Sequence, residues 1–126
     1  MKMELTNSKI LIVDDQEANV RILESLLEIK GFKQVKSTTD SRQVEDLVQS
    51  FCPDLLLLDL MMPKKDGFDV LTELKEQKSS LPVIVSTNLS QESDIAKAKK
   101  LGAKDFFVKS DTPINKVVEH VKKLLE

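Results

Sequence analysis

The stretch Pro53-Asp54-Leu55-Leu56-Leu57-Leu58-Asp59-Leu60-Met61-Met62-Pro63, followed by Asp66-Gly67, constrains the fold more than any other part of the chain. Four successive leucines without polar alternation suit a strand covered on both faces, as in the middle of a parallel sheet, rather than one face of a solvated hairpin. Asp59 then stands where that strand ends. In open parallel α/β sheets the ligand crevice lies at the carboxyl ends of the strands, so this carboxylate occupies the usual place for chemistry. An acid that merely leaves the core and meets water fits the same position, and the rest of the chain has to decide.

Lys9 to Val13 reads as a short buried strand, closed by Asp14-Asp15 as Asp59 closes the leucine strand. From Gln16 to Ile29 the apolar positions Ile22, Leu23, Leu26 and Leu27 recur at helical spacing, and Gly31 follows as a stop. Val35 to Thr38 is a brief strand. Asp40 with Gln43 reads as a capping box, and Val44, Leu47, Val48 and Phe51 then form the apolar face of a helix ended by Pro53. Past the polar turn Pro63 to Gly67, the residues Phe68, Leu71 and Leu74 carry a third helix to about Glu76. Val83 to Ser86 is a strand introduced by Pro82 and followed by Thr87-Asn88. Ser90 is expected to cap a helix from Gln91 to Leu101, whose stripe of Ile95, Ala98 and Leu101 is thin, with Gly102 as its stop. Phe106 to Val108 makes a fifth strand ending at Lys109. A last helix presents Ile114, Val117, Val118, Val121, Leu124 and Leu125.

Strand and helix thus alternate five times with short connections, which predicts a three-layer (βα)5 doubly wound α/β domain over residues 1–126 with helices on both faces of a parallel sheet. A chain of 126 residues, 40% hydrophobic and 32% charged, fits one globular domain rather than a disordered or membrane protein. A net charge of -2, no Trp, no Tyr and five Phe speak against a direct nucleic-acid partner. Lys97, Lys99, Lys100, Lys122 and Lys123 read as solvated helix faces. Cys52 is the only cysteine, which excludes an internal disulfide, and its place beside Phe51 suggests a small buried hydrophobe. No signal peptide is legible, and no run approaches the ~20 apolar residues of a membrane span. A cytoplasmic location without membrane contact is the expectation.

If all strands run parallel, Asp14, Asp15, Asp59, Thr87 and Lys109 gather at one sheet edge. Clustered carboxylates repel unless a cation compensates, and hard oxygen donors of this kind suit Mg2+. With metal, lysine and hydroxyl to neutralise its charge, a phosphoryl group could then be attacked by one of the carboxylates.

The chain resembles a response-regulator receiver domain of two-component signalling, within the CheY-like superfamily. The matching residues are Ile12-Val13-Asp14-Asp15, then Leu57-Leu58-Asp59-Leu60-Met61-Met62-Pro63 with Asp66-Gly67, then Pro82-Val83-Ile84 with Thr87, and Gly102-Ala103 with Asp105-Phe106 and Lys109. Each motif is weak alone, but four in this order and spacing are highly specific. The resemblance implies a flavodoxin-like sheet of order 2-1-3-4-5. It implies that Asp59 accepts a phosphoryl group from a histidine kinase or histidine phosphotransfer protein. Asp15 would bind Mg2+, or Mn2+, directly and Asp14 mostly through water, with the Asp59 side chain and the Met61 backbone carbonyl completing the set. Lys109 and Thr87 would contact the phosphoryl oxygens, Phe106 would turn inward, and the α4-β5-α5 surface would switch. Such a phosphoprotein is a signalling phosphoacceptor that assists its own phosphorylation and dephosphorylation rather than an enzyme. Its further partners would be a downstream target or output domain and a second copy in a phosphorylation-dependent homodimer.

Two positions depart from the family pattern: Asn88 replaces a small residue and Ser110 replaces a proline. Because receivers usually carry a cis Lys-Pro bond, a cis Lys109-Ser110 peptide is expected, at a cost of about 2.5 to 4 kcal/mol. Met61 and Leu89 are apolar where an acid or amide could orient water, so a long-lived phosphoryl group is expected too. An FMN-binding flavodoxin fits less well, since Asp14-Asp15 would repel its phosphate. A haloacid-dehalogenase-type phosphatase usually needs a second Asp where Met61 stands. A receiver-like module that only pairs with other proteins would not need the acidic cluster or Lys109.

Overall fold

The computed structural model describes residues 7–126. Its strands are β1 (Lys9–Val13), β2 (Gln34–Thr38), β3 (Leu55–Leu58), β4 (Val83–Thr87) and β5 (Asp105–Val108). They alternate with helices α1 (Glu17–Ile29), α2 (Val44–Phe51), α3 (Gly67–Glu76), α4 (Glu92–Lys100) and α5 (Ile114–Leu125). The strands form one sheet of order β2-β1-β3-β4-β5, with every pair parallel. The leucine run therefore lies in the centre, where Ile10 faces Leu55 and Val13 faces Leu58 across one ladder and Leu58 faces Val85 across the other.

Successive residues of a strand point to opposite faces, and the core divides accordingly. Leu11, Val13, Leu56, Leu58, Val83 and Val85 pack against Val44 of α2, Val70, Leu71 and Leu74 of α3 and Ala98 of α4. Ile10, Ile12, Leu55, Leu57 and Ile84 pack on the other face against Val20, Leu23 and Leu27 of α1 and Val117, Val118 and Val121 of α5. Burial of each such side chain contributes about 1.5–3 kcal/mol, which is why the four leucines tolerate no polar alternation. Among the described residues no helix is long and apolar enough to cross a membrane.

Several local expectations are corrected. In α1 the buried set is Val20, Leu23 and Leu27, whereas Ile22 is 48% exposed, because α5 and the sheet are met by a face rotated from the one inferred. Asp40 caps a 3₁₀ turn (Ser41–Gln43) through the Arg42 amide, and Gln43 instead accepts from the Thr38 hydroxyl, so no capping box forms there. The hydrogen-bonded Arg42 guanidinium holds the Asp40 carboxyl down at about 2. The capping box lies at α3, where Asp66 and Asp69 exchange bonds with each other's amides. At α4 the cap position is Gln91 rather than Ser90, without a side-chain bond. Cys52 is exposed rather than buried, since it ends α2 in a left-handed conformation (φ 51°) that carries it outside the core.

Candidate functional site

Neighbouring β1 and β3 deliver their terminal acids to one place. The Asp59 amide donates to the Val13 carbonyl at 2.9 Å and the Asp14 amide to the Thr38 carbonyl at 3.2 Å, so the sheet ladder extends through both acids. One oxygen from each of Asp14, Asp15 and Asp59 lies within 4.8 Å of the other two. Asp14 and Asp59 are buried, while Asp15 is exposed.

On the other side, β4 and β5 bring Thr87 and Lys109 to the same edge. The Lys109 amide donates to the Thr87 carbonyl at 2.7 Å. Its ammonium donates to Asp14 Oδ2 at 2.8 Å, Asp59 Oδ2 at 2.9 Å and Gln16 Oε1 at 3.1 Å, so all three donors of the ammonium are engaged. Burial works against this cation, yet the bonds and charges of Asp14 and Asp59 outweigh it and hold Lys109 above its ordinary pKa. Asp15 is also pushed upward, first by desolvation and then by the charges of Asp59 and Asp14, which Lys109 offsets only in part. One lysine does not balance three carboxylates. The hard oxygen donors and this residual excess of negative charge fit a divalent ion such as Mg2+.

Asp59 Oδ1 accepts from the Met61 amide at 3.1 Å, which orients the carboxylate and ties it to the loop after β3. That loop runs close, because Gly67 has no room for a Cβ: an added one would stand 2.6 Å from the Asp59 carbonyl oxygen. Thr87 is fully buried, and its hydroxyl lies 3.5 Å from the Leu89 amide, at the long limit of a hydrogen bond. Phe106 is half-buried and packs on the α2/α3/α4 face.

Asp14, Asp15, Asp59 and Lys109 are thus brought together, and Thr87 ends the strand whose carbonyl accepts from the Lys109 amide. Two polar partners escape a reading of the sequence. Asn19 donates to Asp14 Oδ2 at 2.7 Å, and Gln16 both accepts from Lys109 and gives its amide to Asp14 Oδ1 at 2.9 Å. Their position at the start of the helix that follows Asp14-Asp15 is the only sequence signal they offer. The cis expectation is overturned: no cis peptide occurs among the described residues. The chain instead reverses through a turn in which the Asp111 amide donates to the Val108 carbonyl at 3.0 Å, and Lys109 reaches both acids with Ser110 in the trans form.

The profile of the response regulator receiver domain matches residues 10–122, and the chain belongs to that family. It is 40% identical over 109 residues to the probable transcriptional regulator ycf27 of Porphyridium aerugineum, covering 86% of this chain and 45% of that protein. It is 36% identical over 107 residues to the alkaline phosphatase synthesis transcriptional regulatory protein PhoP of Bacillus subtilis, covering 85% of this chain and 44% of that one. The chain therefore spans about half the length of the curated relatives it matches. Among solved structures, the receiver domain of the Francisella response regulator 1452 superposes with a TM-score of 0.87 at 25% identity, over 94% of this chain and 97% of that one. The protein is accordingly a signalling receiver of two-component response regulators.

Proposed function

We propose that Asp59 is the phosphoacceptor and takes its phosphoryl group from a phosphohistidine on a histidine kinase or phosphotransfer protein. The observation that carries this reading is the Asp59 carboxylate held 2.9 Å from Lys109 with two further carboxylates beside it. The free lone pairs of Asp59 attack phosphorus, the bond from phosphorus to the histidine nitrogen breaks, and its electron pair leaves with the imidazole. Lys109 follows the transferred oxygens, and the buried Thr87 hydroxyl donates to them. Asp15 would hold the metal directly and Asp14 mostly through water, with the Asp59 side chain and the Met61 carbonyl as the remaining protein ligands. When bound, Mg2+ or Mn2+ neutralises charge on the phosphoryl oxygens.

Movement of Thr87 toward the phosphoryl group frees room for Phe106 and shifts the population of the α4-β5-α5 surface, which passes the signal to a target or output domain or to a second copy of the chain. Two relatives being named transcriptional regulators supports an output domain beyond this segment. We place this activity in the cytoplasm, with no direct contact of this domain to nucleic acid. Incubation with acetyl phosphate and Mg2+ tests the reading: wild-type protein should take an acid-stable, base-labile label, and Asp59→Asn should take none. Equal labelling of Asp59→Asn would assign the acceptor elsewhere.

A further inference from the structure

Ser41 is 1% exposed although it starts a surface turn, and its hydroxyl donates to the main-chain carbonyl of Lys65 in the loop between β3 and α3. The segment leading to it is itself fixed. The Thr38 hydroxyl accepts from the Asp40 amide at 3.0 Å and donates to Gln43 Oε1 at 2.6 Å, while the Thr38 carbonyl accepts from the Asp14 amide at 3.2 Å. Thr38 to Ser41 thus grips the loop of one acid at one end and the loop of another at the other.

The loop held by Ser41 has a demanding shape. The Lys65 amide donates back to the Pro63 carbonyl at 2.8 Å, with Lys64 between them at φ 70°, a left-handed conformation that lysine rarely adopts. Such conformations persist where the surroundings over-determine them. At its start, the same loop gives the Met61 amide to Asp59, and at its end the Gly67 amide donates to the Leu60 carbonyl at 3.0 Å. The ion pair of Lys65 with Glu73 joins the loop to its own helix, so it cannot anchor the loop from outside. Ser41 does.

We infer that Ser41 is a positioning residue for this site: its hydroxyl fixes the loop after β3 so that the Met61 main chain keeps its place beside Asp59. The inference rests on the metal-dependent phosphoacceptor reading above, and its test separates the two. The whole chain is titrated with Mg2+ alone and followed by backbone amide resonances, in wild type and in Ser41→Ala, with amide hydrogen exchange measured on both. Partners behind metal ligands typically carry 10- to 100-fold in affinity, and Ser41 acts one step further away, so the Mg2+ dissociation constant should rise about three- to tenfold. Exchange at Met61 and Gly67 should quicken while that at Val117 and Val118 stays unchanged. Wild-type Mg2+ affinity in Ser41→Ala, or exchange that quickens equally in α5, overturns the inference and leaves the metal reading standing. Failure of the wild type to bind Mg2+ overturns both. Should Ser41→Ala not fold, Ser41→Cys, which keeps the volume with a poor donor, reads the same quantities.

Discussion

The Lys109 ammonium bridges the Asp59 carboxylate at 2.9 Å and that of Asp14 at 2.8 Å, so one cation joins the ends of two central strands. Removing it would leave two like charges buried together, a change that costs about 3–5 kcal/mol in comparable sites. Lys109→Met is expected to lower unfolding stability by about 3 kcal/mol at neutral pH without divalent ions, and added Mg2+ should restore part of the loss. Because Lys109 is raised in the fold, its contribution is complete below the ordinary value of 10.5 and is lost as pH climbs through the raised one. Urea melts in chelator and in Mg2+ check this; a loss under about 1 kcal/mol would mean that water already screens both acids.

Asp15 behaves in the opposite sense. Its folded-state pKa is raised above 3.8 by desolvation and by the charges of Asp59 and Asp14, so the charged form is disfavoured in the fold. The unfolded chain ionises first as pH rises, and stability falls across the window between 3.8 and the raised value. Asp15→Asn should therefore gain stability over wild type between acidic and neutral pH, by no more than about 1 kcal/mol for so exposed a group. In the same melts Mg2+ should raise the wild-type midpoint and leave the variant unmoved. A stability gap independent of pH would contradict the electrostatic origin.

Gly67→Ala tests how tightly the loop seals the acceptor. The new Cβ would stand 2.6 Å from the Asp59 carbonyl oxygen, 2.6 Å from Leu60 Cα and 2.8 Å from Leu60 Cδ2. Two of these atoms are backbone and cannot rotate away, so a loss of about 3 kcal/mol is expected, at the upper end for overpacking. Labelling by acetyl phosphate should slow as well, since Asp59 is the residue displaced. Wild-type stability and labelling together would show that the loop yields without disturbing the acid.

Much of this architecture could be read from local pattern. The limits of β1 at Lys9 and Val13 follow from its flanking polar residues, and the unbroken Leu55–Leu58 run fits only a central strand. Strand order joins residues far apart in the chain, so local pattern does not disclose it and only the family resemblance implies it. Helix phase in α1 is not legible in the sequence, because Ile22 and Val20 are both apolar and only the packed sheet and α5 choose between them. The exposure of Cys52 is hidden for another reason: composition does not disclose a left-handed helix stop. In the site, the charged residues stood out at strand ends, whereas Gln16, Asn19 and Ser41 act through hydrogen bonds whose partners only the fold brings near.

The fourth helix is the element best suited to switching. Ala98 is its only buried residue, with Ile95 half-buried, so little apolar area holds it to the sheet. Amide exchange in α4 is expected to be faster than in α5, whose Val117, Val118 and Val121 are all buried. On phosphorylation, exchange across residues 87–110 should change while β1 and β3 keep their protection. Identical exchange in that segment before and after phosphorylation would rule out this surface as the output.

The lifetime of the phosphoryl group depends on the residues that follow Asp59 and Thr87 in the chain. Met61 and Leu89, with Pro63, Phe68, Asp15 and Asp66, line a cavity of about 420 Å³. A water attacking the phosphoryl group needs a carboxylate or amide to orient it; neither Met61 nor Leu89 supplies one, while Asp15 is assigned to the metal and Asp66 caps α3. Leu89 is half-buried and adds bulk, so it also limits access. Asn88, exposed on the position next to Leu89, carries an amide, as do Gln16 and Asn19, which are already bonded to Lys109 and Asp14. Slow loss of the phosphoryl group is therefore expected, with Leu89→Ala speeding it about three- to tenfold by admitting water and Asn88→Ala leaving it unchanged. The decay of base-labile label in Mg2+ after removal of acetyl phosphate measures all three proteins. Wild-type decay within seconds would refute the shielding, and a slower decay in Asn88→Ala would transfer the role of orienting water to that amide.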